Sequence, residues 1–317
     1  MSAKINIAVV GYGSQGRAWA LNLRDSGMPV TIGIPAGDAS RKTALKDGFK
    51  DITSVGRAVE SSHIIVFAFP DHLHGRAFKK AIEPYLRPKS ALVFLHGYSI
   101  HFGTVIPPKI TDIILLAPLG PGTAVREKYL AGESIGYFYA VHHNATGRAR
   151  RVLDYLVRGL KIDRRTMIKT TFADEAIGDL FGEQAVLCGG LSQLIKMGFE
   201  TLVESGIAPD KAYLEVAYQL DLIVGLIKDH GIEGMFHRIS VAARYGSLLN
   251  GPRIIGPQAK SGMKKILAEI KSGQFAKKLN SLSPAEVKKL DTELRGLTDP
   301  LLEKSARKFS PIKSKKK

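Results

Sequence analysis

The sequence predicts an α/β domain with a parallel sheet in its N-terminal half and an all-α domain in its C-terminal half. The 317 residues suffice for two domains, and 44% of them are hydrophobic and 24% charged, as in globular proteins. Short apolar runs alternate with amphipathic stretches up to about residue 160, which is typical of βαβ units. From residue 171 onward the periodicity is helical. We therefore predict domains at residues 1–168 and 169–317.

Six apolar runs bounded by Gly, Pro or Asp predict strands at residues 5–10, 30–34, 64–68, 91–95, 113–117 and 134–142. Helical periodicity between the strands predicts helices at residues 18–26 and 75–86. The C-terminal half predicts helices at residues 175–205, 209–228, 232–245, 257–272 and 284–297. The last of these should begin after Ser283, a favourable N-cap residue, with Pro284 at the first helical position.

The charge is strongly basic, with 46 Lys and Arg against 29 Asp and Glu, a net charge of +17. Part of it lies in residues 304–317, which we interpret as a solvated basic tail. No recognition helix or aromatic-interleaved basic strand pair is evident, so nucleic acid binding is a minor alternative. The apolar stretches are shorter than a membrane span needs, and the N-terminus does not resemble a signal peptide. With Cys188 as the single cysteine, we expect a cytoplasmic protein that does not bind membranes.

A glycine-rich segment with G-x-G-x-x-G spacing follows the first predicted strand and opens a helix. The first glycine permits a tight turn, the second lets the backbone approach a pyrophosphate, and the third allows close packing of helix on strand. The helix N-terminus adds N–H groups and a partial positive charge. The alternative is a purely structural turn. We predict a Rossmann domain whose cofactor contacts include Gly11, Tyr12, Gly13, Ser14, Gln15 and Gly16.

The choice between NADH and NADPH should depend on the loop after the second strand. Asp38 would repel a 2′-phosphate and favours a free ribose hydroxyl, whereas Ser40 and Arg41 could bind the phosphate. The sequence therefore leaves NAD and NADP open, with a slight preference for NADH or dual use.

Two further loops should lie at the carboxyl edge of the sheet, where open α/β sheets bind ligands. His96 follows the fourth predicted strand, and we expect it to be functional. Gly122, in the segment after the fifth strand, should line the nucleotide crevice. His72 and His74 follow the third strand, where we expect loop or surface residues.

The helical half contains two pairs of polar residues with i, i+4 spacing, which places both members of a pair on one helix face. Asp179 and Glu183 are such a pair, and like charges among apolar neighbours are reasonable if Mg²⁺ lies between them. Glu215 has Gln219 at the same spacing, so only one member is charged. The alternative for both pairs is a solvated polar face.

Five segments together resemble ketol-acid reductoisomerase, short (class I) form. They are Gly11-Tyr-Gly-Ser-Gln-Gly16, His96-Gly-Tyr-Ser-Ile-His-Phe-Gly103, Ala117-Pro-Leu-Gly-Pro-Gly122, Asp179-Leu-Phe-Gly-Glu-Gln-Ala-Val-Leu-Cys-Gly-Gly190, and Ile239-Ser240 with Tyr245-Gly246. The resemblance extends from residue 4 to residue 308. It implies a Rossmann domain, a knotted all-helical C-terminal domain and a homodimer with shared active sites. It also implies an Mg²⁺-dependent alkyl shift in 2-acetolactate or 2-aceto-2-hydroxybutyrate, followed by reduction with NADPH, in valine and isoleucine synthesis.

The resemblance also implies roles for individual residues. His96 matches the family's active-site histidine, and Ser240 matches the serine that contacts substrate. Asp179 and Glu183 match the metal-bridging pair, and Glu215 matches the next metal ligand.

Three segments depart from the family pattern. Leu119 replaces the lysine of the Ala-Pro-Lys motif, Gln219 replaces the fourth carboxylate, and residues 242–246 read Ala-Ala-Arg-Tyr-Gly instead of Thr-Ala-Glu-Tyr-Gly. Loss of one positive and one negative charge roughly conserves the net charge of the site. An amide is a poorer ligand for a hard cation than a carboxylate, so one ion rather than two is a possibility.

Three hypotheses therefore stay open. The first is a diverged paralogue that reduces a 2-keto acid or a related carbonyl or imine. The second is an active ketol-acid reductoisomerase that makes 2,3-dihydroxyisovalerate in branched-chain amino acid synthesis. The third is a non-catalytic dinucleotide-binding protein.

Overall fold

The computed structural model describes residues 5–309. The chain divides into two compact units, residues 1–178 and 179–317. The domain boundary that we predict from the sequence, at 168/169, lies about ten residues earlier and falls within the last strand, Met167–Lys169. Each unit is described separately.

The first unit contains an eight-stranded sheet with the strand order β3-β2-β1-β4-β5-β6-β7-β8. All six predicted strands are present, within a few residues of their expected ends. The two strands that the sequence did not reveal, β3 and β8, have only two and three residues. The strands are β1 (Ile7–Val10), β2 (Val30–Gly33), β3 (Ile52–Thr53), β4 (Ile64–Phe67), β5 (Ala91–Phe94), β6 (Asp112–Pro118), β7 (Tyr137–His143) and β8 (Met167–Lys169).

The sheet is parallel except where β7 pairs with β6 in the antiparallel direction. The predicted parallel sheet is therefore confirmed as the dominant arrangement, and the β6–β7 pair is the exception. Apolar runs show where strands lie but carry no information about strand direction, and mixed sheets of this kind are common.

Both faces of the sheet are buried, which explains why its strands read as continuous apolar runs. Alternate residues of β1 face opposite sides. Ile7 and Val9 belong to a core that includes Trp19, and Ala8 and Val10 belong to a second core on the other face, with Phe67.

The helices of the first unit cover these faces. They are α1 (Ser14–Asp25), α2 (Ser40–Lys46), α3 (Val55–Glu60), α4 (His74–Ala77), α5 (Tyr98–His101), α6 (Gly122–Leu130), α7 (Ala149–Gly159) and the start of α8 (Phe172–Gly182). The helix predicted at 75–86 is broken into α4, a π-helical turn at Phe78–Ile82 and a 3₁₀ turn at Glu83–Tyr85, where Pro84 removes a backbone donor.

In the second unit, the described residues after α8 form helices and connecting turns. The helices are α9 (Gly189–Glu204), α10 (Pro209–Tyr213), α11 (Leu220–Phe236), α12 (Val241–Ile254), α13 (Pro257–Lys271), α14 (Gln274–Asn280), α15 (Pro284–Leu297) and α16 (Pro300–Phe309). The predicted N-cap of α15 is confirmed, since Ser283 forms a capping box with Glu286. The helix predicted at 232–245 begins after a break in α11 at Gly231, whose φ is 71°, but its predicted end is wrong, because the chain leaves α11 near residue 237 and re-enters a helix after Ser240.

The start of the expected solvated tail is folded. Residues 304–309 belong to α16, where Ser305 donates a hydrogen bond to Asp210 at 2.9 Å and Lys308 pairs with the same carboxylate. These contacts hold α16 against α10. The rest of the tail, residues 310–317, lies outside the described residues.

The second unit exposes much apolar surface within one chain. The helical run Phe172–Glu204 is long and apolar enough to cross a membrane, since an 18-residue window within it has a mean hydropathy of 1.2, and 6% of that window is buried. This run exceeds the apolar lengths expected from the sequence. Length and composition are weak evidence for a span, and the run also carries Asp179 and Glu183, whose burial in lipid would be costly.

Candidate active site

The central parallel strands end in register at one edge of the sheet. Val10 of β1 is level with Phe67 of β4, which is level with Phe94 of β5 and Leu115 of β6. The loops that follow these strands therefore lie side by side. Between β1 and β4 the strand order reverses, which is where a crevice for ligands opens in this class of sheet.

The glycine-rich loop follows β1 at this reversal point. Gly11 has a positive φ of 93°, and a Cβ on Gly16 would lie 2.4 Å from the carbonyl oxygen of Gly11. Gly13, in contrast, has an ordinary φ of −76°, and its Cβ would meet nothing within 4 Å. Two glycines thus shape the turn, and the third leaves open space at the N-terminus of α1, where a pyrophosphate fits.

The loop after β6 packs directly against this turn. A Cβ on Gly122 would lie 2.2 Å from the carbonyl oxygen of Ser14, so no side chain fits at this position. Gln15 donates from Nε2 to the carbonyl oxygen of Gly120 at 2.8 Å, while its Oε1 is buried and has no hydrogen-bond partner among the described residues. This acceptor is available to a bound group.

Tyr12 contacts the protein rather than the open space. Its side chain is 4% exposed, and its hydroxyl donates to Asp47 at 2.9 Å. Asp47 also accepts two hydrogen bonds from Arg17, at 2.6 and 2.9 Å. The hydrogen bonds from Arg17 hold the pKa of Asp47 below its usual range. Burial acts in the opposite direction, and the hydrogen bond from Tyr12 lowers the pKa further. Tyr12 can therefore serve a dinucleotide only through its backbone.

The loop after β2 is organised by Asp38. Its Oδ1 accepts hydrogen bonds from the amide of Ser40 at 2.8 Å and from the hydroxyl of Ser40 at 2.7 Å. Arg41 donates from its guanidinium to the carbonyl oxygen of Ile52 at 3.2 Å. The hydroxyl and the guanidinium that could bind a 2′-phosphate are thus engaged with the protein, and Asp38 is exposed.

His96 lies just beyond β5, beside the loop after β4. Its Nδ1 is 3.3 Å from Oδ2 of Asp71, and its side chain is 16% exposed. The backbone amide of the next residue, Gly97, donates to the carboxylate of buried Glu175 at 2.5 Å. A Cβ on Gly97 would lie 2.3 Å from the carbonyl oxygen of Phe172. The start of α8 therefore fixes the loop that carries His96.

The same edge contains buried polar groups that the sequence did not single out. The expectation that His74 is a loop or surface residue is wrong: it is 3% exposed and contacts Ser99 and the carbonyl oxygen of Phe69. Buried Ser99 and Glu175 and half-buried Asp71 complete the group. Asp71 could have been predicted from the sequence, because a polar residue directly after a buried strand lies at the edge of the sheet. No local pattern predicts the roles of the other residues.

Leu119 occupies the position where the family resemblance places a lysine. It lies directly after β6 and is 47% exposed, and its amide donates to the carbonyl oxygen of Gly136 at 2.9 Å. An apolar side chain here cannot supply a cation to an oxygen-rich site.

The carboxylates of the second unit lie on or beside π-helical turns. Asp179 is on α8 and Glu183 begins the turn Glu183–Leu187, while Glu215 lies in the turn Leu214–Tyr218. Such turns are rare and are frequent at functional sites. Gln219 ends the second turn, and its amide nitrogen donates to Glu215 Oε2 at 3.1 Å.

Among residues 5–309, no three His, Cys, Asp or Glu side chains gather within one chain as a metal site. Asp179, Glu183 and Glu215 are all exposed. Two carboxylates one helical turn apart fit a single Mg²⁺, which accepts carboxylate oxygens and keeps several waters. A second ion fits less well, since Gln219 directs a donor at Glu215.

Ser240 is the N-cap of α12. Its Oγ accepts a hydrogen bond from the amide of Ala243 at 3.1 Å, and the side chain is exposed. The cap uses the hydroxyl oxygen as an acceptor and leaves the hydroxyl proton available to a ligand.

Two family models match nearly the whole chain. "Acetohydroxy acid isomeroreductase, NADPH-binding domain" matches residues 2–164, and "Ketol-acid reductoisomerase, C-terminal domain" matches residues 172–307. An NADH-preferring ketol-acid reductoisomerase from an uncultured archean is similar over 96% of this chain and 93% of its own, with 36% identity and a TM-score of 0.90.

More distant structures share the fold alone. One is a semialdehyde dehydrogenase NAD-binding protein from Cupriavidus necator, with 18% identity and a TM-score of 0.64 over 85% of this chain and 99% of that one. Another is pyrroline carboxylate reductase from Plasmodium falciparum, with 15% identity and a TM-score of 0.53 over 84% and 97%.

The open space at Gly13 gives a direct test of the dinucleotide site. Gly13→Ala should fold normally, because its φ suits alanine and its Cβ meets no atom, yet the added methyl group should obstruct the pyrophosphate. We expect the Kd for NADH to rise about tenfold or more, equal to about 1.4 kcal/mol. Fluorescence titration measures the Kd and thermal unfolding checks the fold. Gly296→Ala, also in open space, is the matched control, and equal affinity of both variants would contradict the placement.

Proposed function

The chain belongs to the ketol-acid reductoisomerase family, and on that premise we propose that it is a diverged NAD(P)H-dependent reductase of a 2-keto acid or a related carbonyl or imine. The observation that carries this proposal is that one group of family residues is retained, whereas two residues of another group are replaced. The glycine loop, Gly122 and His96 are intact at one edge of the sheet. Leu119 and Gln219 replace two charged residues on which the alkyl shift of the family depends.

Reduction of a ketone requires a hydride at the carbonyl carbon and a proton at the carbonyl oxygen. A bound nicotinamide supplies the hydride. The backbone of Gly11, Gly13 and Gly16 orients the cofactor, and the helix α1 N-terminus binds its pyrophosphate. His96 holds the proton that passes to the carbonyl oxygen, and the hydroxyl of Ser240 donates a hydrogen bond to the substrate.

Asp179 and Glu183 would hold one Mg²⁺. A bound Mg²⁺ polarises substrate oxygens, which is worth several kcal/mol to a reaction that develops charge on them. The alkyl shift depends on this polarisation more strongly than hydride transfer does. Loss of the lysine and of one carboxylate therefore weakens isomerisation first and leaves the reduction.

The second candidate, an active reductoisomerase, is favoured by the 36% identity to an NADH-preferring ketol-acid reductoisomerase over 96% of this chain. The two replacements remove opposite charges and so compensate each other electrostatically. A third candidate, a non-catalytic dinucleotide-binding protein, would bind the cofactor without turnover.

A homodimer with shared active sites accounts for two features of the second unit. Glu215 does not join Asp179 and Glu183 within one chain. An apolar groove of about 590 Å³, lined by residues that include Leu194, Ile255 and Met263, lies among helices with exposed apolar side chains such as Leu187 and Leu222. A second copy would cover this surface and contribute Glu215 to the site.

Placement in the cytoplasm, away from membranes and nucleic acid, is part of the same proposal. The apolar run Phe172–Glu204 carries two of the site carboxylates, and Cys188 is the single cysteine. Both features suit a small-molecule enzyme in a reducing compartment.

Two substrates separate the candidate functions. We expect purified protein with NADH or NADPH to reduce 3-hydroxy-3-methyl-2-oxobutyrate, which bypasses the alkyl shift, at least tenfold faster than 2-acetolactate, a difference of about 1.4 kcal/mol in barrier. Absorbance of the reduced nicotinamide is the measurement, with and without Mg²⁺. Equal turnover of both compounds would establish the reductoisomerase instead, and cofactor binding without turnover of any keto acid would favour the third candidate.

The double variant Leu119→Lys with Gln219→Glu tests, in the same assay, whether these two replacements weaken the isomerisation. It should raise turnover of 2-acetolactate, because it restores the two charges that the family pattern contains. An exposed substitution away from the site, Leu45→Lys, serves as the control for an added lysine. If the double variant gains nothing, Arg244 or the wider pocket, rather than these two positions, blocks isomerisation.

Asp38 should set a preference for NADH. Asp38→Asn keeps an oxygen that can accept the hydrogen bonds of Ser40 but removes the charge that repels a 2′-phosphate. We expect the ratio of the two Kd values, NADPH to NADH, to fall roughly tenfold, as for a charge effect of about 1.4 kcal/mol near the surface. Titration of both cofactors measures it, with Glu60→Gln as a charge-matched control. An unchanged ratio would remove Asp38 from the specificity determinants.

Mixed dimers test whether the site is shared. A chain with Asp179→Ala and a chain with Glu215→Ala should each lose Mg²⁺ binding at the substrate site, whereas a mixed dimer would contain one intact site. Random pairing in a symmetric dimer gives about a quarter of the wild-type sites. Calorimetric Mg²⁺ titration of co-expressed chains counts the sites, and turnover provides a second readout. If mixing recovers no sites, each chain holds its own ligands.

A further inference from the structure

Asp71 lies between two histidines at the carboxyl edge of the sheet. It follows β4 and begins the 3₁₀ turn Asp71–Leu73. Its Oδ2 is 3.3 Å from Nδ1 of His96, and its Oδ1 is 3.7 Å from Nδ1 of His74. The side chain of His74 is 3% exposed, that of His96 16% and that of Asp71 30%. The carboxylate is therefore within reach of both histidine rings.

The contacts of His74 determine its protonation. Its Nε2 is 2.8 Å from the carbonyl oxygen of Phe69, which can only accept, so Nε2 carries a proton. Its Nδ1 is 2.7 Å from the hydroxyl of Ser99. Burial lowers the pKa of His74 more than the charge of Asp71 raises it. His74 is therefore neutral at neutral pH, and its Nδ1 accepts a hydrogen bond from Ser99 rather than donating one to Asp71.

Asp71 is ionised at neutral pH. Burial raises the pKa of its carboxyl group, but the hydrogen bond from His96 and the charge of His96 act in the opposite direction, and the pKa lies below its ordinary value. An ionised carboxylate only accepts hydrogen bonds. The proton between Asp71 and His96 therefore belongs to His96 Nδ1, and Nε2 is the ring nitrogen at which His96 can hold or release a second proton.

The trio of Ser99, His74 and Asp71 has the composition of a hydrolytic triad but not its geometry. Ser99 and Asp71 both lie near the same nitrogen of His74, and the other nitrogen is bound to backbone. Ser99 is also fully buried. His74, packed 4.4 Å from the ring of Phe69 and 5.3 Å from that of Phe67, is a rigid neighbour of Asp71 instead.

We propose that Asp71 is a positioning residue for the reduction: it fixes His96 as the Nδ1–H tautomer and stabilises the imidazolium that donates a proton from Nε2. This inference rests on the proposed reductase function. As the carbonyl carbon gains the hydride, the carbonyl oxygen takes the Nε2 proton of His96. The ring is left neutral with its Nδ1–H on Asp71, and solvent returns a proton to Nε2 after the product leaves.

Three neighbouring residues make different contacts from those of Asp71. Tyr98 packs with its ring centroid 5.9 Å from that of His96, and neutral His74 contributes no charge. Glu175 is directed at the backbone amide of Gly97. Asp71 lies 3.3 Å from Nδ1 of His96, at the distance of a hydrogen bond.

Asp71→Asn tests the role without changing the size of the side chain. In full-length protein labelled with ¹⁵N-histidine, with signals assigned through His96→Gln, wild-type His96 should be the Nδ1–H tautomer. In Asp71→Asn the tautomer population should move toward Nε2–H, and the titration midpoint of His96 should fall, because an adjacent carboxylate favours the charged form. A wild-type Nε2–H tautomer, or no change in the variant, would overturn the proposal.

Steady-state kinetics give the second measurement. We expect kcat of Asp71→Asn to fall roughly 10- to 100-fold, part of what a general acid contributes, with the KM for NADH unchanged. Because the reaction needs the imidazolium of His96, activity is lost as pH rises. In the variant, this loss of activity should occur at lower pH. In Asp71→Glu, which keeps the carboxylate, the titration midpoint of His96 should be close to that of the wild type. Asp154→Asn removes another ion-paired carboxylate of the same unit and should behave as wild type.

The NMR and kinetic measurements distinguish failure of the proposed reductase function from failure of the proposed role of Asp71. A tautomer change without reduction of any keto acid would refute the proposed function and leave the assignment of Asp71 in place. Reduction with an unchanged pH profile in Asp71→Asn would refute the role of Asp71 and leave the function. Where Asp71→Asn does not fold, the wild-type tautomer and the Asp71→Glu profile decide the proposal.

Discussion

The registered ends of four parallel strands are the constraint on which the rest of the first unit depends. Each strand is buried on both faces, so its position is fixed by apolar packing rather than by the polar residues at its end. The loops after β1, β4, β5 and β6 then open at one edge, and the side chains in them can cooperate. The glycine loop packs against Gly122, and Asp71 reaches His96 across neighbouring loops. A rigid sheet thereby converts four separate stretches of sequence into one polar surface.

Glycine has opposite uses at this edge. Gly16, Gly97 and Gly122 are required where backbone meets backbone, since a Cβ would lie within 2.4 Å of a carbonyl oxygen at each position. Gly13 faces open space instead. The first kind of glycine maintains the shape of the protein, and the second leaves room for a ligand. Only the structure distinguishes the two, since the sequence shows the same residue type in each case.

Much of the fold follows from the sequence because its signals are local. Continuous apolar runs identified the six longer strands, and Ser283 with Pro284 identified the start of α15. The direction of β7 did not follow, because a strand's apolar pattern is the same in either direction. The short β3 and β8 lacked enough residues for a pattern. The candidate site was predictable where a motif is contiguous, as in residues 11–16. The partnership of Asp71 with His96 was not, because 25 residues separate them and their contact depends on strand order.

For the homodimer that we propose, the exposed apolar helices of the second unit have a consequence for how two chains associate after synthesis. Each copy carries a net charge of +17, so two copies repel each other at long range, while side chains such as Leu187, Leu222 and Val241 attract once in contact. Repulsion between like-charged proteins is screened within about 10 Å at 0.1 M salt. Association would thus be an activated encounter whose rate rises with ionic strength, and the time that a newly made chain spends with uncovered apolar surface would depend on the salt around it.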